Sequence, residues 1–276
     1  MPNARPPVMP EPDSTVDLAG YFERIGYAGD RTPKRATLDA LHLAHATHIP
    51  FENLDILLGR PIRLDLASLQ AKLVRGRRGG YCFEQNRLFA AVLEALGFAV
   101  TPLAARVRFG TSAVLPRTHM LLQVDVDGSP LLADVGFGIF GLLLPVPLDE
   151  SGESRQFAWT YRVAREAGQY VLQLRKGVAW SDLYAFTLER QYPVDYEMAN
   201  HYTSTHPSSR FVLAPIAQRS TPDVRRMLRD GTYSEHRGET VTQRTLADDD
   251  ELLEVLAEEF ELRFPKGTRF RARGAG

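Results

Sequence analysis

The sequence reads Arg77-Arg78-Gly79-Gly80-Tyr81-Cys82-Phe83-Glu84-Gln85-Asn86 around its only cysteine. Apolar residues then recur at helical spacing as far as Leu96, which predicts a helix over residues 82–96. The two glycines allow a tight turn just before it. A sulfur at a helix N-terminus beside two arginines is favoured as the thiolate. The stretch therefore predicts a nucleophile at Cys82, against the alternative of a small buried apolar side chain.

The rest of the chain predicts helices first and strands afterwards. Helices are predicted over 16–27, 37–48 and 66–75, ahead of the one that begins at Cys82. Strands are predicted over 100–109, 120–126, 131–135, 157–163, 170–174 and 184–188. A short helix over 195–202 is followed by extended segments at 211–215, 232–234 and 239–246, and by a last helix that ends at 262. This order indicates an α+β fold rather than alternating βα units.

A predicted hairpin places a histidine near an aspartate. The turn Asp127-Gly128 pairs residue 126 with 129, so that His119 faces Gly136 and Asp134 lies diagonally, about 7–8 Å away at Cα. An odd number of loop residues would instead turn the two side chains to opposite faces. In the first register the sequence predicts a nucleophile, base and orienting carboxylate. The alternatives are a hydrogen-bonded core histidine and a carboxylate that caps a turn.

Composition limits the range of partners. The chain has 276 residues and a net charge of −1, which does not indicate nucleic acid or a membrane as a partner. One cysteine cannot form an internal disulfide, and a free thiol suits a reducing cytoplasm. Residues 1–14 contain five prolines and are predicted to be a loose arm rather than a signal peptide. The uncharged run 135–148 is too short to span a bilayer.

Several motifs, in order, resemble those of the arylamine N-acetyltransferases. The cysteine motif of that family matches Arg78, Gly79, Gly80, Cys82, Glu84 and Asn86. Its histidine and aspartate segments match Thr118-His119-Met120 and Asp134-Val135-Gly136-Phe137-Gly138, and two further stretches match Pro50-Phe51-Glu52-Asn53-Leu54 and Tyr21-Phe22-Glu23-Arg24-Ile25-Gly26-Tyr27. The separations, 119−82=37 and 134−119=15, also agree with the family. The resemblance covers residues 16–262 and is strongest over 48–138.

The resemblance implies a three-part fold. It predicts a helical domain over 1–98 that carries the nucleophile, a β-barrel over 99–203 that carries the histidine and aspartate, and an α/β lid over 204–276. Cys82, His119 and Asp134 would form a catalytic triad between the first two parts. Phe51, Phe137 and Phe211 match positions that line the acceptor pocket of the family, with core packing as the alternative. Arg24 and Glu52 match its paired charges near the site.

The resemblance also implies a reaction. Acetyl-CoA would donate an acetyl group to Cys82, and the nitrogen of an arylamine or arylhydrazine would accept it by a ping-pong mechanism. The oxygen of an N-hydroxyarylamine is a further acceptor. No metal is expected, and no residue is assigned to CoA: the basic residues Arg75, Arg77 and Arg78 and the polar stretch 203–209 are candidates that loop packing explains equally well. A role in xenobiotic metabolism in the cytoplasm would follow.

Other functions share these features. An amide synthase that takes a polyketide chain from a carrier protein would resemble this family, a cysteine hydrolase uses the same triad, and a member without activity could retain the fold. His42, His45 and His48 recur every three residues, which spreads them too widely over a helix for one metal site. A solvated or partly packed helix face is the expected arrangement for these histidines.

Overall fold

The computed structural model describes residues 15–149 and 152–271. The predicted N-terminal arm, residues 1–14, lies outside them. In these two ranges, no helix is both long and apolar enough to cross a membrane.

The first part of the chain is helical, as predicted. It contains α1 (Leu18–Ile25), α2 (Arg35–His48), α3 (Leu54–Leu57), α4 (Leu66–Leu69) and α5 (Cys82–Ala95), with the short strand β1 (Phe51–Glu52) between α2 and α3. The predicted helix over 66–75 changes from α4 into a wider π-helical turn, Gln70–Arg75. Helix α5 is buried on nearly all sides, because the other helices and the first strands of the following sheet pack around it.

The central part is a strongly curved antiparallel sheet. Its strands are β2 (Ala99–Val107), β3 (His119–Val126), β4 (Ser129–Ala133), β5 (Val146–Pro147), β6 (Ser154–Gln156), β7 (Trp159–Glu166), β8 (Gln169–Lys176) and β9 (Ala179–Phe186). Within the described residues they follow the order β5-β4-β3-β2-β9-β8-β7-β6, and β5 also lies against β7, so the sheet nearly closes into a barrel. Val126 pairs with Ser129 and Leu122 with Ala133, which confirms the predicted hairpin register.

The last part combines helices with a second sheet. It contains α6 (Pro193–Thr205), α7 (Arg210–Leu213), β10 (Ile216–Ser220), β11 (Arg225–Arg229), β12 (Thr232–Arg237), β13 (Thr240–Thr245) and α8 (Asp249–Glu259). The described strands of this sheet run in the order β1-β10-β11-β12-β13. Phe51 pairs with Gln218, so the first and last parts of the chain share one sheet.

Two predictions for this last part are wrong. Residues 211–215 were expected to be extended, but Arg210–Leu213 is a helical turn, because the Ser209 hydroxyl accepts a hydrogen bond from the Phe211 N–H and caps it. Strands β10 and β11 were not predicted. Arginines interrupt both strands, so their sequence lacks clean alternation. The domain boundaries after residues 98 and 203 remain predictions.

Candidate active site

Cys82 is the first residue of α5. The side chain of Glu84 accepts a hydrogen bond from the Tyr81 N–H at 3.1 Å and so satisfies a donor at the start of the helix. Lys72 Nζ pairs with Glu84 at 2.7 Å and with Asp55 at 3.0 Å. The sulfur itself is 3.5 Å from the carbonyl oxygen of Thr118, on the loop that leads into β3. The structure thus confirms a cysteine at a helix N-terminus and places it against the barrel.

The glycines before Cys82 serve close packing rather than a left-handed turn. A Cβ on Gly79 would lie 2.1 Å from the carbonyl oxygen of Pro50, so only glycine lets the two backbones approach this closely. The residue with the left-handed backbone is Arg77, at φ 48°. The expectation that the glycines make the turn is therefore wrong, although glycine is required at position 79.

The charged residues near the cysteine pair differently from the prediction. Arg78 donates to Glu52 at 2.6 Å and to Asp55 at 3.2 Å, so it braces the loop before Cys82. Arg24 instead donates to the carbonyl oxygens of Leu73 and His48, and the expected Arg24–Glu52 pair is not formed. Glu52 pairs with Arg78 instead, because Arg78 lies on the neighbouring loop before Cys82 and its guanidinium already binds the Glu52 carboxylate.

His119 and Asp134 meet as the hairpin register predicts. His119 Nε2 donates to Asp134 Oδ2 at 2.7 Å, and both side chains are buried. Cys82 is the other side-chain partner of the imidazole. Burial by itself lowers the pKa of His119, but the charge and hydrogen bond of Asp134 and those of Cys82 together raise it to about 10. The structure therefore brings Cys82, His119 and Asp134 together, with Asp134 orienting the ring.

Asp134 has further donors that the sequence did not predict. The Asn86 side chain and the Gly136 N–H both donate to Oδ1 at 2.9 Å, while the Tyr184 hydroxyl donates to Oδ2 at 2.8 Å. Burial favours the neutral acid, but His119 and these donors hold the pKa of Asp134 below its ordinary value. Asn86 was noted only as part of a motif. Tyr184 lies on β9, and no local signal in the sequence links it to Asp134.

Two histidines of helix α2 also lie in the buried region around Asp134. His42 and His45 are fully buried, so the expected solvated or partly packed face is wrong for both, whereas His48 is exposed. His42 Nε2 accepts the Asp134 N–H at 3.0 Å, and its Nδ1–H donates to Leu143 O at 3.0 Å. His45 bridges the Tyr21 hydroxyl and Gln85 at 2.7 Å on each side. Among the described residues, no group of three or more His, Cys, Asp or Glu side chains could hold a metal ion.

Replacing His45 with glutamine is expected to make the protein less sensitive to acid. Burial lowers the pKa of His45 to about 3 from an ordinary value of 6.5. Between these values the unfolded chain binds a proton that the folded protein does not, so the free energy of unfolding falls with falling pH by about 1.4 kcal/mol per pH unit. His45→Gln should remove this part of the slope, measured by urea unfolding from about pH 6 to about pH 4.

His48→Gln is the matched control for this experiment, because the His48 ring is exposed on the same helix. It leaves His45 in place and should therefore still show the part of the slope that His45 contributes. A His45→Gln variant with the wild-type slope would contradict the assignment of His45 as a buried neutral ring.

The three predicted acceptor-pocket residues are aromatic neighbours of this site. The Phe137 ring lies edge-on to His119, with centroids 5.1 Å apart. Phe51 and Phe211 contact each other at 6.0 Å, and Phe211 also contacts Tyr81 at 5.6 Å. Phe51, Phe137, Gly138 and Gln218 line a small cavity of about 20 Å³ next to Asp134. Phe137 is thus beside the imidazole, while Phe51 and Phe211 pack together next to Tyr81, the residue before Cys82.

Comparison with known proteins agrees with the fold and the motifs. A family model described as N-acetyltransferase matches residues 35–268. The arylamine N-acetyltransferase of Escherichia coli is 40% identical over 251 residues, covering 90% of this chain and 89% of that protein. The chain belongs to the arylamine N-acetyltransferase family. A Salmonella typhimurium relative, named arylamine N-acetyltransferase / N-hydroxyarylamine O-acetyltransferase, is 38% identical over 90% of this chain and 89% of its own length.

Solved arylamine N-acetyltransferases have the same fold. The enzyme from Nocardia farcinica superposes with a TM-score of 0.87 at 42% identity, covering 92% of each chain. The enzyme from Mycobacterium marinum in complex with CoA has a TM-score of 0.85 at 34% identity, covering 89% of this chain and 93% of that one. These matches confirm the family resemblance and the α+β class with helical, barrel and lid parts.

Proposed function

We propose that this protein transfers an acetyl group from acetyl-CoA to the nitrogen of arylamines or arylhydrazines, and to the oxygen of N-hydroxyarylamines. The observation that carries the proposal is the contact of Cys82 with His119, whose Nε2–H is held by Asp134 at 2.7 Å. The names of the Escherichia coli and Salmonella relatives and the CoA complex of the Mycobacterium marinum enzyme support the donor and the acceptors. They favour this reaction over an amide synthase or a hydrolase.

In the first half-reaction, Cys82 becomes acetylated. The Cys82 thiolate attacks the carbonyl carbon of the acetyl thioester, the C–S bond to CoA breaks, and the CoA sulfur leaves with the proton of the His119 imidazolium. One thioester replaces another, so this step is nearly balanced in free energy. The backbone N–H groups in the first turn of α5 would donate to the carbonyl oxygen, where negative charge develops in the transition state.

In the second half-reaction, the acceptor discharges the enzyme. An arylamine is a weak base and stays neutral at pH 7, so its nitrogen can attack the acetyl-cysteine directly. His119 removes a proton from that nitrogen while the C–S bond to Cys82 breaks, which restores the thiolate and releases an amide. Phe137, beside His119, would pack against the flat ring of the acceptor, and Phe51 and Phe211 would complete the apolar wall.

Intact-mass spectrometry tests both halves of this proposal. Acetyl-CoA alone should add one acetyl group to the protein, and peptide mapping should place it on Cys82. Aniline should then remove the group and yield acetanilide faster than water yields acetate. Failure to acetylate Cys82 would overturn the proposal. Rapid loss of the acetyl group to water, with no effect of aniline, would instead indicate a hydrolase.

We further propose that the enzyme acts in the cytoplasm on small molecules. The single cysteine has no disulfide partner, and a reducing compartment keeps such a thiol available for acetylation. The net charge of −1 favours neither nucleic acid nor an anionic membrane as a partner.

A further inference from the structure

The loop that follows Asp134 is tethered by side chains from both sheets. Arg225 Nη1, on β11, donates to the carbonyl oxygens of Ile139 at 2.5 Å and Gly141 at 2.8 Å. The Tyr161 hydroxyl, on β7, donates to Gly141 O at 2.9 Å and accepts from Arg225 Nη2 at 2.8 Å. The side chain of Gln218, on β10, accepts the Ile139 N–H at 2.8 Å. Side chains from outside the loop therefore hold the backbone of residues 137–141 in place.

Arg225 is an unusual tether because it is a buried charge. Its exposure is 0%, and no carboxylate among the described residues pairs with it. Besides the loop carbonyls and Tyr161, it contacts the face of the Trp159 ring at 4.5 Å. Burying an unpaired guanidinium is unfavourable, so the carbonyl dipoles of the loop are what compensate its charge. The loop conformation and the buried arginine thus stabilise each other.

Gln218 fits against the loop backbone at one position. Gly138 has a left-handed φ of 94°, and a Cβ there would lie 1.9 Å from Gln218 Oε1. Glycine at 138 therefore lets the amide oxygen of Gln218 reach the next N–H, that of Ile139. Gln218 also pairs with Phe51 across the strands β1 and β10. It connects the loop directly to the opposite wall of the small cavity.

These tethers determine where Phe137 lies, but not where the triad lies. The Phe137 ring is 5.1 Å from both His119 and Tyr184. Asp134, in contrast, is held by His42, Asn86, Tyr184 and the Gly136 N–H, all of which lie outside residues 137–141. Loss of a tether should therefore move the acceptor side of the site and leave the nucleophile and base in place.

We infer that Arg225 and Gln218 are positioning residues for the acceptor half of the reaction. They act through residues 137–141, which they hold so that Phe137 packs on the His119 ring where the arylamine must approach. This inference rests on the proposed function. Its consequence is specific: the two residues should influence discharge of acetyl-Cys82 much more than its formation.

The ping-pong mechanism lets the two halves be measured separately. Quenched-flow mass spectrometry gives the rate at which acetyl-CoA acetylates Cys82, and steady-state kcat/KM for aniline reports discharge. We expect Gln218→Met and Arg225→Met to lower kcat/KM for aniline by about tenfold or more, with acetylation within about threefold of wild type. Gln218→Glu should restore discharge, because a carboxylate oxygen still accepts the Ile139 N–H.

Arg226→Met is the matched control. Arg226 is the next residue of β11, lies on the other face of the strand and pairs with Glu235 and Glu259. Its loss should leave both half-reactions at wild-type rates. Should Arg225→Met fail to fold, the Gln218 variants decide the question alone.

The outcomes separate this inference from the proposed function. Equal losses in acetylation and discharge, or wild-type discharge in Gln218→Met, would overturn the positioning role and leave acetyl transfer standing. Absence of acetylation in the wild-type protein would overturn the proposed function, and this inference with it.

Discussion

Cys82→Ala should give a folded protein that transfers no acetyl group. The side chain is buried but small, so Cys82→Ala removes one sulfur atom and little packing. What is lost is the only thiol of the chain, and with it the group proposed to attack the thioester. Intact-mass spectrometry after addition of acetyl-CoA should show an unmodified protein, and acetanilide formation should fall to the uncatalysed rate.

The fold of this variant is the necessary control. Its thermal midpoint and circular dichroism should remain close to those of the wild type, because the N-terminus of α5 is held by Glu84 and Lys72 rather than by the sulfur. Residual transfer near the wild-type rate would dispose of Cys82 as the nucleophile.

Asp134→Asn is expected to lower the rate of Cys82 acetylation by about 10³–10⁴-fold. The two carboxylate oxygens accept four donors: His119 and Tyr184 on one, Asn86 and Gly136 on the other. An amide replaces one oxygen with NH₂, so in either orientation two of these donors lose their acceptor. With the NH₂ at the Oδ2 position, the imidazole ring is no longer held in the orientation that leaves its second nitrogen for Cys82. With the NH₂ at the Oδ1 position, His119 keeps an acceptor, but a neutral amide oxygen binds its N–H less strongly than a carboxylate does.

The charge change adds to the change in orientation. Asp134 raises the pKa of His119 by its charge and its hydrogen bond, and without the carboxylate that pKa falls toward its ordinary value. In the wild type, whose His119 has a pKa of about 10, the imidazolium persists at pH 7. In the variant this pKa is lower, so less imidazolium is present at pH 7 to protonate the departing CoA sulfur, and the rate of acetylation should rise as the pH is lowered from about 8 to about 6.

Asp125→Asn is the matched control on the same hairpin. Asp125 lies on β3, is half-buried and contacts the Gln123 side chain, away from the imidazole. It should acetylate at the wild-type rate. If Asp134→Asn were as active as Asp125→Asn, the carboxylate would have no role in orienting or charging His119.

The elements that could be predicted are those with a strong local signal. Helix α5 follows from the apolar spacing after Cys82, and the register of β3 and β4 follows from the turn Asp127-Gly128. That register alone brings His119 to Asp134. Strands β10 and β11 could not be predicted, because Arg219 and Arg225 interrupt them and their pairing partners lie elsewhere in the chain.

The residues around the triad show the limit of such reasoning. His42 looked like part of a solvated or partly packed helix face, yet it is fully buried and accepts the N–H of Asp134. Tyr184 and Arg225 carried no motif at all. Their roles depend on partners 50 positions away for Tyr184 and more than 80 for Arg225. Contacts at this separation are set by how helices and sheets pack, which local patterns do not encode.

By itself, the amino-acid sequence determined where the proposed nucleophile, base and orienting carboxylate lie along the chain, since turn chemistry and side-chain periodicity act over a few residues. Only the tertiary structure decided what surrounds them. Burial keeps His42 neutral, so that its ring can accept a hydrogen bond, and it surrounds Asp134 with four donors. It also leaves the carbonyl oxygens of the loop to compensate the charge of Arg225. Each of these arrangements exists only because distant segments pack together and exclude water.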